Sequence, residues 1–214
     1  MTVDASPEQQ VAGTRRPART QRERVAESTR RLLPAAVELF AEQGYERTTA
    51  AQIGERAGYS RAMVRRRYGS KEGLLRALFD NELRQRLTPP DDPHRTGLEQ
   101  ILVQVDQIIE LVESDQTVAR AFFVLCFETG AQKLVLRSAF REWFAEYEAN
   151  MKSSLRAGKR DNTIRQDLDI DHEAQQFVSQ CLGLAFRWTL DWEGYDFLAD
   201  ARAWRAALAA RYRP

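Results

Sequence analysis

The sequence predicts an all-α fold: a small N-terminal helix-turn-helix unit followed by a larger helical region, with about nine helices in all. Three observations predict it. Apolar residues recur at helical spacing from residue 22 to the C-terminus, and no stretch alternates as a half-buried strand does. Ser, Thr and Gly stand where such stretches begin and end. The proline-rich segment TPPDDPH (88–94) separates a short front from a long remainder.

Taken in order, residues 1–21 are polar, contain Pro7, Gly13 and Pro17, and read as a disordered arm. The arm runs into a basic stretch holding Arg15, Arg16, Arg19, Arg22 and Arg24. The first helix covers 23–43, with Leu32, Leu33, Ala36, Val37, Phe40 and Ala41 on one face. Gly44 fits the left-handed position that ends a helix. Pro34 falls inside this span, where a proline loses one backbone hydrogen bond and crowds the preceding turn. The helix therefore either kinks there or begins only near Arg30. The second helix covers 50–57, opened by a Thr49–Gln52 capping box and stopped by Gly58. Ser60 caps a third helix, 61–67, and Ser70 a fourth, 71–86, whose inner face is Leu74, Leu75, Leu78, Phe79 and Leu83. Beyond the prolines the periodicity gives helices at 96–113, 116–129, 133–157, 171–190 and 196–211. The expected divisions are an arm (1–21), a helix-turn-helix unit (22–69), a connecting helix (70–87) and a larger helical domain (96–214). No internal repeat is present.

Composition narrows the function. A 43% hydrophobic chain can bury a core, and 29% charged residues with mean hydropathy −0.54 predict solubility. No apolar run approaches the roughly 20 residues of a membrane span, and the N-terminus lacks the apolar centre of a signal peptide. Cys126 and Cys181 sit in apolar settings without metal-ligand spacing, which predicts buried, reduced thiols in a cytoplasmic protein. His94 lies in the proline-rich segment and His172 near a helix start. No nucleophile–base pair, metal cluster or phosphate-binding glycine loop is visible, so neither an enzyme nor a cofactor is expected. The net charge of +1 hides an asymmetry. Residues 1–71 hold 14 Arg and Lys against 8 Asp and Glu, and the remainder 18 against 23. A basic front on an acidic remainder predicts that the front meets a polyanion.

Two short helices joined by AGYS (57–60) have the form of a helix-turn-helix, with Ile53, Ala57 and Val64 placed to bury the angle between them. The surrounding stretch 32–78, LLPAAVELFAEQGYERTTAAQIGERAGYSRAMVRRRYGSKEGLLRAL, resembles the TetR family of transcriptional regulators. The resemblance is carried by Leu32-Leu33 and Ala35-Ala36, Phe40, Gly44-Tyr45 before Thr48-Thr49, Ile53, Ala57-Gly58 and Ser60. It continues in Ser70-Lys71-Glu72 ahead of paired leucines. LRAGKRDNTIRQDLDIDHEA also looks like the segment preceding that family's penultimate long helix. Three positions depart from the pattern. Pro34 is unusual, Gly54 replaces the usual alanine, and Arg65 and Arg67 stand where aromatics are commoner.

The resemblance implies that the third helix enters the DNA major groove. Val64 and Tyr68 then face inward, leaving Arg61, Ala62, Arg65 and Arg66 toward the groove, with Met63 and Arg67 flanking. A guanidinium fork meets guanine O6 and N7 together, so Arg61 and Arg66 are expected at base edges and Ala62 at a thymine methyl. The family's phosphate-contacting positions correspond to Arg65, Arg67, Thr49 and Lys71. Ser60, at the start of the helix, completes the expected DNA-facing set, and Met63 fits half-buried packing equally well. The arm's Arg15, Arg16 and Arg19 either reach an adjacent minor groove or belong to a solubilising tail.

The resemblance further implies that the last two long helices pair two copies of the chain. Val178, Cys181, Leu182, Ala185, Leu190, Trp204, Leu208 and Tyr212 would then offer apolar surface, and Gly183 close approach. Some of these serve the chain's own core equally well. The family usually holds a small effector inside this domain, which shifts the DNA heads. Gln104, Phe122, Phe123, Cys126, Trp143, Phe144, Tyr147, Phe177 and Trp188 are the residues expected around a small apolar or aromatic effector, although aromatics at this spacing also make plain core. The expected function is a homodimeric repressor released from a palindromic operator by a small molecule, with activation on the same architecture as the alternative.

Overall fold

The computed structural model describes residues 20–88, 92–131 and 136–214. The arm, with Arg15, Arg16 and Arg19, lies outside them, as do residues 89–91 of the proline-rich connection. Helix is the only regular structure among the described residues, as the sequence predicts. The helices are α1 (Gln21–Arg47), α2 (Ala50–Arg56), α3 (Arg61–Tyr68), α4 (Lys71–Leu78), α5 (Arg84–Leu87), α6 (Gly97–Ser114), α7 (Gln116–Ala131), α8 (Arg137–Arg160), α9 (Ile170–Leu190) and α10 (Phe197–Tyr212). A π-helical turn, Phe79–Leu83, joins α4 to α5 in one continuous rod, giving nine rods among the described residues.

Caps set most boundaries. Thr20 opens α1 with a capping box: its Oγ1 accepts from the Glu23 N–H at 3.3 Å, and the Glu23 carboxylate accepts from the Thr20 N–H at 2.7 Å. The helix thus starts ahead of the expected position. It also continues through Pro34, whose ring is on the exposed face, and the only non-helical backbone within α1 is at Gly44. Thr49 and Gln52 make the expected box at α2, and the Ser70 hydroxyl accepts from the Gly73 N–H at 3.1 Å at α4. Ser60 corrects the expectation. It occupies the N-cap of α3, but its hydroxyl makes no cap bond; the Met63 N–H turns to the Ser60 carbonyl at 2.9 Å instead.

α1 lies along α7, α2 sits on α3, and α6 packs against both α8 and α10. A single apolar core runs through these contacts, with Leu32, Phe40, Ile53, Val64 and Leu83 completely buried. At the α6–α8 crossing, Gly97 meets Gly158 backbone to backbone. α9 and α10 are tied by buried Glu173, which accepts from the Tyr212 hydroxyl at 3.1 Å and pairs with Arg211.

Burial corrects part of the expected dimer surface. Ala185, Leu208 and Tyr212 are buried in the chain's own core, while Val178, Cys181, Leu182 and Trp204 are half-buried. Leu190 is 71% exposed, Gly183 has open space beside it, and Phe186, which the pattern did not single out, is 50% exposed. Among the described residues no helix is long and apolar enough to cross a membrane.

Candidate nucleic-acid interface and internal cavities

The helix-turn-helix is closed by small residues. Ile53, Ala57 and Val64 are buried between α2 and α3. A Cβ on Gly54 would lie 2.8 Å from the Ser60 carbonyl oxygen and 2.9 Å from its carbon, so the departure from alanine lets α2 rest directly on the start of α3. Gly58 holds the turn at φ +76°, in the left-handed region that disfavours a side chain. On α3, Arg61, Ala62, Arg65, Arg66 and Arg67 are exposed, Met63 and Tyr68 half-buried, and Val64 buried. Exposed Thr49 sits at the neighbouring start of α2.

The basic residues here differ in their engagements. No carboxylate pairs with Arg61, Arg65 or Arg66 among the described residues. Elsewhere arginines find acids: Arg56 bridges Glu38 at 3.0 Å and Glu42 at 2.9 Å, Arg86 reaches Asp115 at 3.0 Å, and Arg205 meets Asp106. Arg67 turns back, its Nε–H donating to Thr29 Oγ1 at 3.0 Å. Lys71 is half-buried, and its ammonium donates to the Tyr45 and Thr48 carbonyls at 2.9 and 2.8 Å while lying 3.8 Å from the centre of the Tyr45 ring. Burial pushes its pKa down, partly opposed by Glu46, Glu72 and Glu128. The ammonium thus closes the turn where α1 gives out.

That turn is held from the other side by a residue the sequence reading missed. Gly44 departs from the helix at φ +79°, and a Cβ there would strike the Glu128 carboxylate at 2.0 Å. Glu128, on α7, accepts from the Tyr45 N–H at 2.7 Å. The partners stand 83 residues apart, and nothing local in the sequence connects them. A hydrogen bond to a charged group contributes about 1.5–3 kcal/mol. Glu128→Ala is therefore expected to lower stability by about that amount in urea unfolding, and Glu128→Gln, which keeps an acceptor, by less. An unchanged midpoint for the alanine variant would show that the contact bears no weight.

In the larger part, α5 to α9 enclose an apolar cavity of about 30 Å³. Phe122, Phe123, Trp143, Phe144 and Tyr147 of the expected set come together there with Leu87, Ile108, Val178, Cys181 and Leu182. Gln104 belongs to a polar cleft of about 440 Å³ between α6, α8 and the proline-rich connection, and Trp143 and Tyr147 line both spaces. Cys126, Phe177 and Trp188 line neither. Phe177 packs on Tyr147 and Trp204, and Trp188 on Phe123, Trp192 and Phe197, as core. Burial pushes both thiols up to about 12, so they stay protonated at neutral pH.

A helix-turn-helix whose third helix presents unpaired arginines, mounted on a helical body with an aromatic cavity, has the make-up of a DNA-binding transcriptional regulator. Residues 32–78 match the family described as bacterial regulatory proteins, tetR family. Those 47 residues carry the DNA-binding module of the TetR family of transcriptional regulators. Over 171 residues the chain is 23% identical to the fatty acid metabolism regulator protein of Bacillus subtilis (strain 168), covering 78% of this chain and 87% of that one. The SmeT–triclosan complex shares the fold with TM-score 0.71 at 23% identity, covering 87% of this chain and 92% of the other. FadR from Bacillus subtilis in complex with stearoyl-CoA does so with TM-score 0.69 at 21% identity, covering 86% and 99%. Its relatives are regulators, not enzymes.

Proposed function

We propose that this protein is a homodimeric repressor that reads a palindromic operator through α3 and is released by a small-molecule effector in the larger helical domain. The observation that carries the reading is the unpaired state of Arg61, Arg65 and Arg66 in a chain that pairs so many other arginines with acids. Arg61 and Arg66 take base edges, with Ala62 against a thymine methyl and Met63 at the flank. Arg65, Thr49 and the uncapped Ser60 hydroxyl take phosphates. Arg67 and Lys71 have N–H groups left over, but their first task is to hold α3 and the α1–α2 turn. The residue ranges assigned from the sequence, 22–69 for reading DNA, 70–87 for connection and 96–214 for effector binding and dimerisation, fit this division.

Dimerisation is supported by the open stripe of Gly183, Phe186 and Leu190 on α9, an apolar face that a second copy would cover about a two-fold axis. Two fold relatives hold triclosan and stearoyl-CoA, molecules with large apolar parts, which supports an apolar or aromatic effector in the cavity ringed by Phe122, Trp143 and Phe144. A chromosome-bound regulator of this kind works in the cytoplasm.

Selection of genomic fragments on the purified protein tests the reading. A two-fold motif is expected, bound with an affinity that falls steeply with salt as phosphates are neutralised. Equal affinity for every duplex, or none, would end it. Arg66→Ala is expected to relax preference at one base pair per half-site by about 1–3 kcal/mol, measured by competition among operators varied at single positions.

A further inference from the structure

We propose that the effector is a neutral amphiphile, an apolar or aromatic body bearing an uncharged hydrogen-bond donor that meets Gln104 Oε1. This rests on the effector-release reading above. Gln104 is only 4% exposed, and its Oε1 is shut from solvent without a partner. Such an acceptor is costly to leave unmet. The orientation of the amide is set by its other end, where Nε2 donates to the Gln100 carbonyl at 3.3 Å. Gln104 lines the polar cleft, and Trp143 and Tyr147, which line it too, also border the aromatic cavity. A molecule seated in the cleft would meet Gln104 with its donor and send its body toward Phe122 and Phe144.

Size and charge define the ligand further. A cavity of about 30 Å³ has room for little more than a water, so the body enters only as the rings of Trp143 and Tyr147 give way. The polar cleft of about 440 Å³ holds what remains outside. Its ionic groups already answer one another: Arg95 meets Asp92 at 3.5 Å, and Glu146 pairs with Arg84. Arg95 is the only cation among the described residues lining the cleft. A phosphate-bearing head such as that of CoA would find no set of free cations there, and an unpaired charge moved from water to such a site is penalised. A phenol, alcohol or amide N–H satisfies Gln104 without that penalty.

Tryptophan fluorescence titration of the full chain with para-hexylphenol and para-hexylanisole tests this, because the two share a body and differ in the donor. The phenol is expected to bind about tenfold more tightly than the ether, and more tightly than stearoyl-CoA. Gln104→Leu should bring the phenol-to-ether ratio near one while leaving the ether's affinity within about twofold. Equal affinities in the parent protein, a ratio that survives Gln104→Leu, tighter binding of stearoyl-CoA, or no binding of either probe overturns the proposal. Should Gln104→Leu fail to fold, the parent protein's ratio decides alone. Release of operator DNA is read separately. Selective phenol binding without release defeats the repressor reading and leaves the head-group assignment standing; release by another compound with a ratio of one defeats only the assignment.

Discussion

Gly97→Val is expected to leave little folded protein, and Gly97→Ala to melt several degrees below the parent. Gly97 begins α6 at the point where that helix lies on α8. A Cβ placed there would come within 2.0 Å of the Gly158 nitrogen, 2.4 Å of its Cα and 2.5 Å of the Ser154 carbonyl oxygen. All three are backbone atoms, so no rotamer change can make room. The contact is also pinned on either side. The Gly97 N–H donates to Asp161 at 2.8 Å, the Leu98 N–H to Thr163 Oγ1 at 3.3 Å, and Thr96 and Glu99 form a capping box. An added methyl must therefore push α6 from α8 and stretch those bonds. Overpacking by a methyl costs about 1–3 kcal/mol, and valine's two further methyls take the loss above about 4 kcal/mol. That is a large share of the roughly 5–15 kcal/mol by which domains are stable. At Gly158 the three atoms nearest an added Cβ belong to the Ile164 side chain rather than to backbone. Thermal melting followed by circular dichroism checks the series. A Gly97→Val protein with the parent's melting temperature would mean that the two backbones do not approach as described.

The seam at Gly97 shows what was legible in the sequence and what was not. Helix starts carry local chemistry, so Thr49–Gln52 and Ser70 could be read directly. Thr20–Glu23 carried the same signal, and Thr-Gln-Arg-Glu marks the start that the apolar pattern alone placed too late. The inward and outward faces of α3 followed from helical spacing, which is why Val64 is buried and Arg61, Arg65 and Arg66 are not. Pro34 could not be decided, because the cost of an interior proline depends on what surrounds its ring. Periodicity also shows that a face is apolar without showing what covers it. Thus Ala185, Leu208 and Tyr212 turned out to serve the chain's own core, and Phe186 to stand open. Gln104 was expected at a pocket, but its unmet oxygen exists only once α6 and α8 are packed. Glu128 and Lys71 are the extreme case, since each acts on the turn at Tyr45 from a distant part of the chain.

Lys71 therefore makes the second large prediction, and one on which sequence and structure divide. From the resemblance it is a phosphate contact, and its loss should weaken all duplexes alike while lowering the salt slope by about one unit. In the structure its ammonium joins the carbonyls of Tyr45 and Thr48, which straddle the end of α1 and lead into the Thr49 cap of α2. Lys71→Met keeps the stem and removes both bonds. Charge-assisted bonds of this kind contribute about 1.5–3 kcal/mol each, and with the lysine only half-buried a combined loss of about 2–4 kcal/mol is expected. The loss falls on the α1–α2 turn, which places α2 and the α3 that packs on it, so DNA affinity drops for specific and nonspecific duplexes together. Because no phosphate contact is removed, the slope of log affinity against log salt stays at the parent's value, whereas Arg65→Ala lowers it by about one unit. Urea unfolding and salt-dependent binding, measured on the same variant, separate the two roles. A destabilised Lys71→Met protein with an unchanged slope makes the ammonium a clamp on the turn, and a normally stable one with a reduced slope places it on the DNA backbone.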